Sequence, residues 1–190
     1  MSDLAHAAST DAVLEDDEGI CVLTHHDLEV QDILACVQDD RAGAIASFIV
    51  GTTRNSFKGK VVTRLEYQAY SKVAIKTMLN IVKTACALST RSEHTAEGQD
   101  VTPIIRCAVY HRLGTVPVGE PSIGKYQLTD RIRPMAHHSA AVIAVSSPHR
   151  KEAFVACEYI LEEVKRKAQI WKREYYKGEP DETAQWKANH

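Results

Sequence analysis

Val142-Ile-Ala-Val-Ser-Ser-Pro-His-Arg150, with the run from Lys151 to Trp171 behind it, decides the fold of this chain. Val142 to Ser146 is a short apolar run, long enough for a buried strand and too short for most helices, and Pro148 breaks it. From about Lys151 to Trp171 the residues Phe154, Cys157, Ile160, Leu161, Val164 and Ala168 recur at helical intervals, so a strand feeds directly into a long amphipathic helix. Upstream, Ile75, Met78, Leu79, Val82, Ala85 and Cys86 mark a second amphipathic helix over Ser71 to Leu88. Strands are predicted at Ile20 to Leu23, Gly43 to Val50, Val61 to Tyr67 and Ile104 to His111, and a first helix from Leu28 to Val37. Asn55, Ser56 and Gly59 would turn Gly43 to Val50 back onto Val61 to Tyr67 as a hairpin, and Leu113 to Gly119 reads as a loop. Strands and helices alternate only loosely around that hairpin, which predicts α+β architecture rather than a doubly wound parallel sheet.

A chain of 190 residues suits one domain with decorated ends. The opening segment holds Asp3, Asp11, Glu15, Asp16, Asp17 and Glu18 without a Lys or Arg, so residues 1–18 are predicted to be a disordered acidic tail and 19–190 the domain. A net charge of −2 supplies no general field for nucleic acid. The five cysteines form no C-x-x-C pair and are an odd number, which argues against a zinc knuckle or a disulfide framework and for a reducing compartment. Neither a signal core nor an apolar run of roughly 18 residues is present, so a cytosolic protein is expected.

On a 3.6-residue helix Lys165 and Lys172, seven positions apart, lie about 20° apart in projection and roughly 10 Å along the axis. Both would flank one edge of the apolar stripe, where partial desolvation disfavours the charged form and lets a lysine carry protons or attack carbonyl groups. The same spacing fits lysines that merely cover the stripe with their stems. Arg54 follows a strand in Gly51-Thr-Thr-Arg-Asn55, where a guanidinium can grip an anion or simply cap a turn. His149 and Arg150 stand where backbone N–H groups and the helix dipole favour anions, although a proline before a helix is common architecture too. His25-His26 and His137-His138 have no acidic or cysteine ligand at a metal-binding interval, so no metal is assigned, and no phosphate-binding glycine loop supports ATP or NAD.

Gly43-Ala-Ile-Ala-Ser-Phe48, Gly51-Thr-Thr-Arg-Asn55, Tyr110-His-Arg-Leu-Gly114, Ser146-Ser-Pro-His-Arg150 and Ile170-Trp-Lys-Arg-Glu174, in this order, resemble the catalytic, large subunit of molybdopterin synthase over most of residues 20–190. The resemblance implies an α/β hammerhead-type fold, an α+β architecture with a mixed sheet. It implies two large subunits at the centre of a heterotetramer, with a small ubiquitin-like sulfur-carrier subunit at each end. The small subunit's C-terminal Gly-Gly thiocarboxylate would enter a pocket of the large one and pass its sulfur to cyclic pyranopterin monophosphate. Two transfers would make the dithiolene of molybdopterin in molybdenum cofactor biosynthesis, and no further cofactor is implied. By the same resemblance Lys165 and Lys172 are catalytic. Arg54, His149, Arg150, Lys165, Lys172, Arg173 and Glu174 contact substrate.

One segment departs from the family pattern. Gly124 to Ala141 adds 18 residues before the strand that leads to Ser-Ser-Pro-His-Arg. It carries Lys125, Arg131, Arg133, His137 and His138, which suits a basic loop over the substrate pocket. It also suits a retained intron, because Gly124-Lys125-Tyr126 can be encoded with a GTAAGT donor and Ala141-Val142 with an AG acceptor, in frame. A binding module that holds a phosphorylated ligand without turnover is the competing class.

Overall fold

The computed structural model describes residues 8–56, 59–88, 103–118 and 139–189. Its strands form two sheets. The first is mixed and five-stranded, in the order β1 (Ala12–Glu15), β2 (Gly19–Thr24), β5 (Arg106–Arg112), β7 (Ser139–Ser147), β3 (Ala44–Gly51). Within it β2 and β5 run parallel and every other neighbour is antiparallel. The second sheet is antiparallel, in the order β6 (Gly114–Pro117), β4 (Val62–Ala69), β8 (Ile170–Tyr176), β9 (Lys187–Ala188). Among the described residues the helices that pack on these sheets are α1 (Val30–Ala35), α2 (Ser71–Leu88) and α3 (Arg150–Lys167).

The apolar run before Pro148 becomes β7, buried along its whole length. Alternation divides its side chains between two layers. Ile143 and Val145 face α2 and α3, while Val142 and Ala144 face Leu28, Ile33 and Val37 around α1. Both faces of this strand are therefore covered, which is why it reads as unbroken apolar sequence. The α2 stripe is buried at Ala74, Ile75, Met78, Leu79, Ile81, Val82 and Ala85, and the helix spans the predicted residues.

Four expectations need correction. The last helix does not reach Trp171: Ala168 is already extended, with φ −67° and ψ 139°, and the chain leaves as β8. The run Ile-Trp-Lys-Arg-Glu-Tyr-Tyr is rich in aromatic and branched residues, and β4 offers it a ladder, so sheet pairing overrides the helical spacing. Lys172 therefore lies on a strand. Second, β3 and β4 are not hairpin neighbours; they belong to different sheets, and among the described residues the bridge Asn55 to Val61 links the segments that follow and precede them. The antiparallel hairpin of the first sheet is β1–β2. Third, the Leu113–Gly119 segment is not only loop, because Gly114–Pro117 forms β6 against β4.

Fourth, the acidic stretch is ordered from residue 8 onward and contributes β1. Ala12 and Leu14 pack on the core, and the acids find distant partners: Glu15 pairs with Arg106, and Asp16 with Lys83 at 3.0 Å. Asp16 also accepts the backbone N–H groups of Glu18 and Gly19 at 3.0 and 3.2 Å, which closes the β1–β2 turn. At the other atypical segment, Ser139, Ala140 and Ala141 open β7, and residues 124–138 lie outside the described residues. Among the described residues no helix is long and apolar enough to cross a membrane.

Candidate active site

Where the carboxyl ends of β3 and β5 meet the start of β7, a small cavity is lined by Val50, His111, Ala141 and, from the last turns of α3, Lys165. The second sheet closes it with Tyr67 of β4. Tyr67 pairs directly with Lys172 across the β4–β8 ladder, so their side chains share the face turned to Lys165. Burial pushes the Lys172 amine down; Glu174, two residues along the same face, opposes that shift, and the charge of Lys165 reinforces it. The two lysines thus come together from a helix and a strand, not from one helix edge. Partial burial and the charge of Lys165 lower the cost of losing a proton from Lys172, the direction that favours amine acid–base or nucleophilic work.

His111 is the polar wall beside them. Its Nδ1–H donates to the Arg112 carbonyl at 2.7 Å, so its Nε2 accepts from the Asn189 amide at 3.0 Å. Burial is the main reason its imidazole is pushed down to about 4, with Lys165 adding to the effect and the Arg112 hydrogen bond opposing it. The ring meets Tyr67 edge-on, with centroids 5.0 Å apart and planes at 77°.

Arg54 is exposed on the segment that follows β3, whose Val50 lines the cavity. Thr52 donates to the Pro117 carbonyl at 2.9 Å and the Arg54 carbonyl accepts from Val62 at 2.7 Å, which ties this segment to the second sheet. Glu174 accepts the Tyr176 hydroxyl at 2.6 Å. Arg173 points to the opposite face of β8, where it pairs with Glu66 at 2.7 Å and stacks near Tyr175 and Trp186. Alternation on a strand keeps it away from Lys172 in the same chain.

His149 and Arg150 are not at this cavity. They begin α3, whereas Lys165 is near its end, roughly 24 Å away at 1.5 Å per residue. The β3–β7 ladder agrees: Ser147 pairs with Ala44 at one end of the sheet and Ala141 with Val50 at the other. At that remote end Ser147 accepts the His149 N–H at 3.2 Å and donates to Pro103 at 2.6 Å. The buried cysteines suit packing: burial pushes the Cys21 thiol up to about 12 and the Cys157 thiol up to about 11. Among the described residues no group of three or more His, Cys, Asp or Glu could hold a metal ion. Tyr67 and Asn189 lie in no motif singled out in the sequence, and His111 falls within Tyr110-His-Arg-Leu-Gly114 without itself being marked as a site residue. Tyr67 reads as one residue of an alternating strand, and only the folding of β4 and β8 together reveals its neighbours.

The model of a family described as MoaE protein matches residues 23–124 and 134–167, passing over 125–133 within the segment expected as inserted. The molybdopterin synthase catalytic subunit of Pyricularia oryzae is 41% identical over 167 residues, 88% of this chain and 72% of that protein. The molybdopterin synthase catalytic subunit 2 of Aedes aegypti is 39% identical over 88% of this chain and 87% of its own. The fold is that of the molybdopterin synthase crystal structure from Staphylococcus aureus, with a TM-score of 0.64 at 24% identity over 87% of this chain and 94% of that one. It is also shared with a complex of subunits 1 and 2 of molybdopterin-converting factor from Helicobacter pylori, with a TM-score of 0.54 at 17% identity, covering 84% of this chain and 86% of that chain.

Proposed function

The chain belongs to the MoaE protein family, and from that premise we infer that it is the catalytic subunit of a molybdopterin synthase, a sulfurtransferase of molybdenum cofactor biosynthesis. Sulfur comes from the C-terminal Gly-Gly thiocarboxylate of a small ubiquitin-like subunit and goes to cyclic pyranopterin monophosphate. The donor sulfur forms a C–S bond at a pterin carbon as a C–O bond there breaks and its oxygen leaves, and donor and pterin, then joined as a thioester, are separated by hydrolysis. Water adds to the acyl carbon, the acyl–sulfur bond breaks, sulfur stays on the pterin and the donor leaves as a carboxylate. A second round completes the dithiolene.

Lys165 on the cavity wall and Lys172 on the strand near it, amines from different elements, support this assignment most directly. Lys165 serves as the acid, base or acyl-accepting amine, and Lys172, on the strand beside it, orients the donor's terminal carboxyl group. Arg54 grips the pterin phosphate through charge-assisted hydrogen bonds. Glu174 steers Lys172, and Arg173 secures β8 from behind through Glu66. His149 and Arg150 complete the anion site only if they come from a second copy, since one helix length separates them from Lys165 in the same chain. That need favours a central dimer of catalytic subunits within a heterotetramer. A cytosolic location belongs to the same proposal.

Reconstitution tests this reading. Mixed with thiocarboxylated small subunit and cyclic pyranopterin monophosphate, the purified chain is expected to yield the dithiolene product. Stable complex formation with no dithiolene would leave the binding-module alternative in its place.

A further inference from the structure

Tyr67 is 4% exposed and lines the cavity with Lys165. Its ring is fixed from the side by the edge-on contact with His111, and its backbone by the ladder to Lys172. Among the described residues nothing accepts from its hydroxyl, which is not among the sealed polar atoms and so opens onto the cavity. A largely buried tyrosine ordinarily gives its O–H an acceptor, so a hydroxyl that opens onto a cavity is available to an acceptor that enters it. A donor that opens onto the cavity lined by Lys165, on a residue paired across the ladder with Lys172, is a place for an acceptor atom of a ligand.

We propose that Tyr67 is a further catalytic residue of the sulfur-transfer site, its hydroxyl donating a hydrogen bond to the acyl oxygen of the donor's C-terminal glycine while that group lies between Lys165 and Lys172. This rests on the reading of the chain as a sulfurtransferase. Negative charge gathers on the acyl oxygen as water adds to the thioester carbon, and a donor already aimed there stabilises that charge without reorganisation. The hydroxyl retains the proton it donates, because burial, with the Glu174 carboxylate nearby, pushes it up to about 12. The neighbouring imidazole stays neutral at working pH, so it holds the ring without adding a third cation beside the lysines.

Tyr67→Phe removes one oxygen and keeps the ring that packs on His111. In the assembled complex the variant is expected to bind the small subunit as the wild type does, to lose on the order of 100-fold in kcat, and to accumulate the thioester-linked small subunit, visible by intact mass. A fluorinated tyrosine at position 67, equal in shape but more acidic, is expected to move the alkaline limb of the kcat profile to lower pH. It tests the same claim if the phenylalanine variant is unstable. Turnover by Tyr67→Phe at the wild-type rate, or an alkaline limb that ignores fluorination, overturns the assignment of Tyr67. Absence of dithiolene from the wild-type complex would instead overturn the sulfurtransferase reading itself.

Discussion

His111 has its Nδ1 proton committed to the Arg112 carbonyl and its Nε2 lone pair to Asn189, and burial holds its pKa at about 4. In an unfolded chain a histidine titrates near 6.5. Between those values the unfolded state binds a proton that the folded state refuses, so stability falls as pH drops from about 6.5 to 4. The expected loss is about 3 kcal/mol, readable from denaturant midpoints across that window. His111→Gln, with no group titrating there, is expected to give a flatter profile; an identical slope would contradict the assignment. Lys165 and Lys172 illustrate how a residue can be legible for an incomplete reason. Their separation in sequence singles them out, but their meeting depends on the chain changing from helix to strand between them. Tyr67 was not legible as a site residue, because it looks like one more position in a strand until the sheets are assembled; His111 falls within Tyr110-His-Arg-Leu-Gly114, but nothing local marks its imidazole as a cavity wall.

Elements were legible where a single period covers them. The stripe of α2 and the apolar run of β7 both announce themselves, since burial on one face or on both leaves a direct imprint on composition. Pairing left no such mark: β3 and β4 look like hairpin partners, and only the covering of β3 by β7 sends them to separate sheets. The β1 segment is ordered by Arg106 and Lys83, which lie far away in sequence and so cannot enter a local reading of its charge. Close packing at the β3–α3 junction makes its own prediction. A Cβ on Gly43 would stand 2.3 Å from the Pro148 carbonyl oxygen, whereas one on Gly51, at the other end of β3, meets nothing within 4 Å. Gly43→Ala is expected to cost roughly 1–3 kcal/mol by thermal melting, and Gly51→Ala to stay within about 0.5 kcal/mol of the parent. Equal melting temperatures for the two would show that the junction is looser than described.

At the scale of the whole molecule, one chain brings Lys165, Lys172 and Glu174 together and leaves His149 and Arg150 at the far end of α3. The expected single cationic cleft along one helix is therefore not formed within one chain, and the proposed function draws His149 and Arg150 from a second copy. Mixing a Lys165→Ala chain with one carrying His149→Ala and Arg150→Ala, after unfolding and joint refolding, is expected to restore roughly a quarter of wild-type activity, because random pairing leaves one intact site in half of the dimers. Mixed dimers that form and stay inactive would contradict shared sites. The most direct measurement follows the sulfur itself, in a single turnover with radiolabelled thiocarboxylate on the small subunit and excess cyclic pyranopterin monophosphate. With wild-type chain the label is expected to move to the pterin, and with Lys165→Ala to remain on the small subunit in a complex that still assembles. Transfer by Lys165→Ala at the wild-type rate would contradict the account.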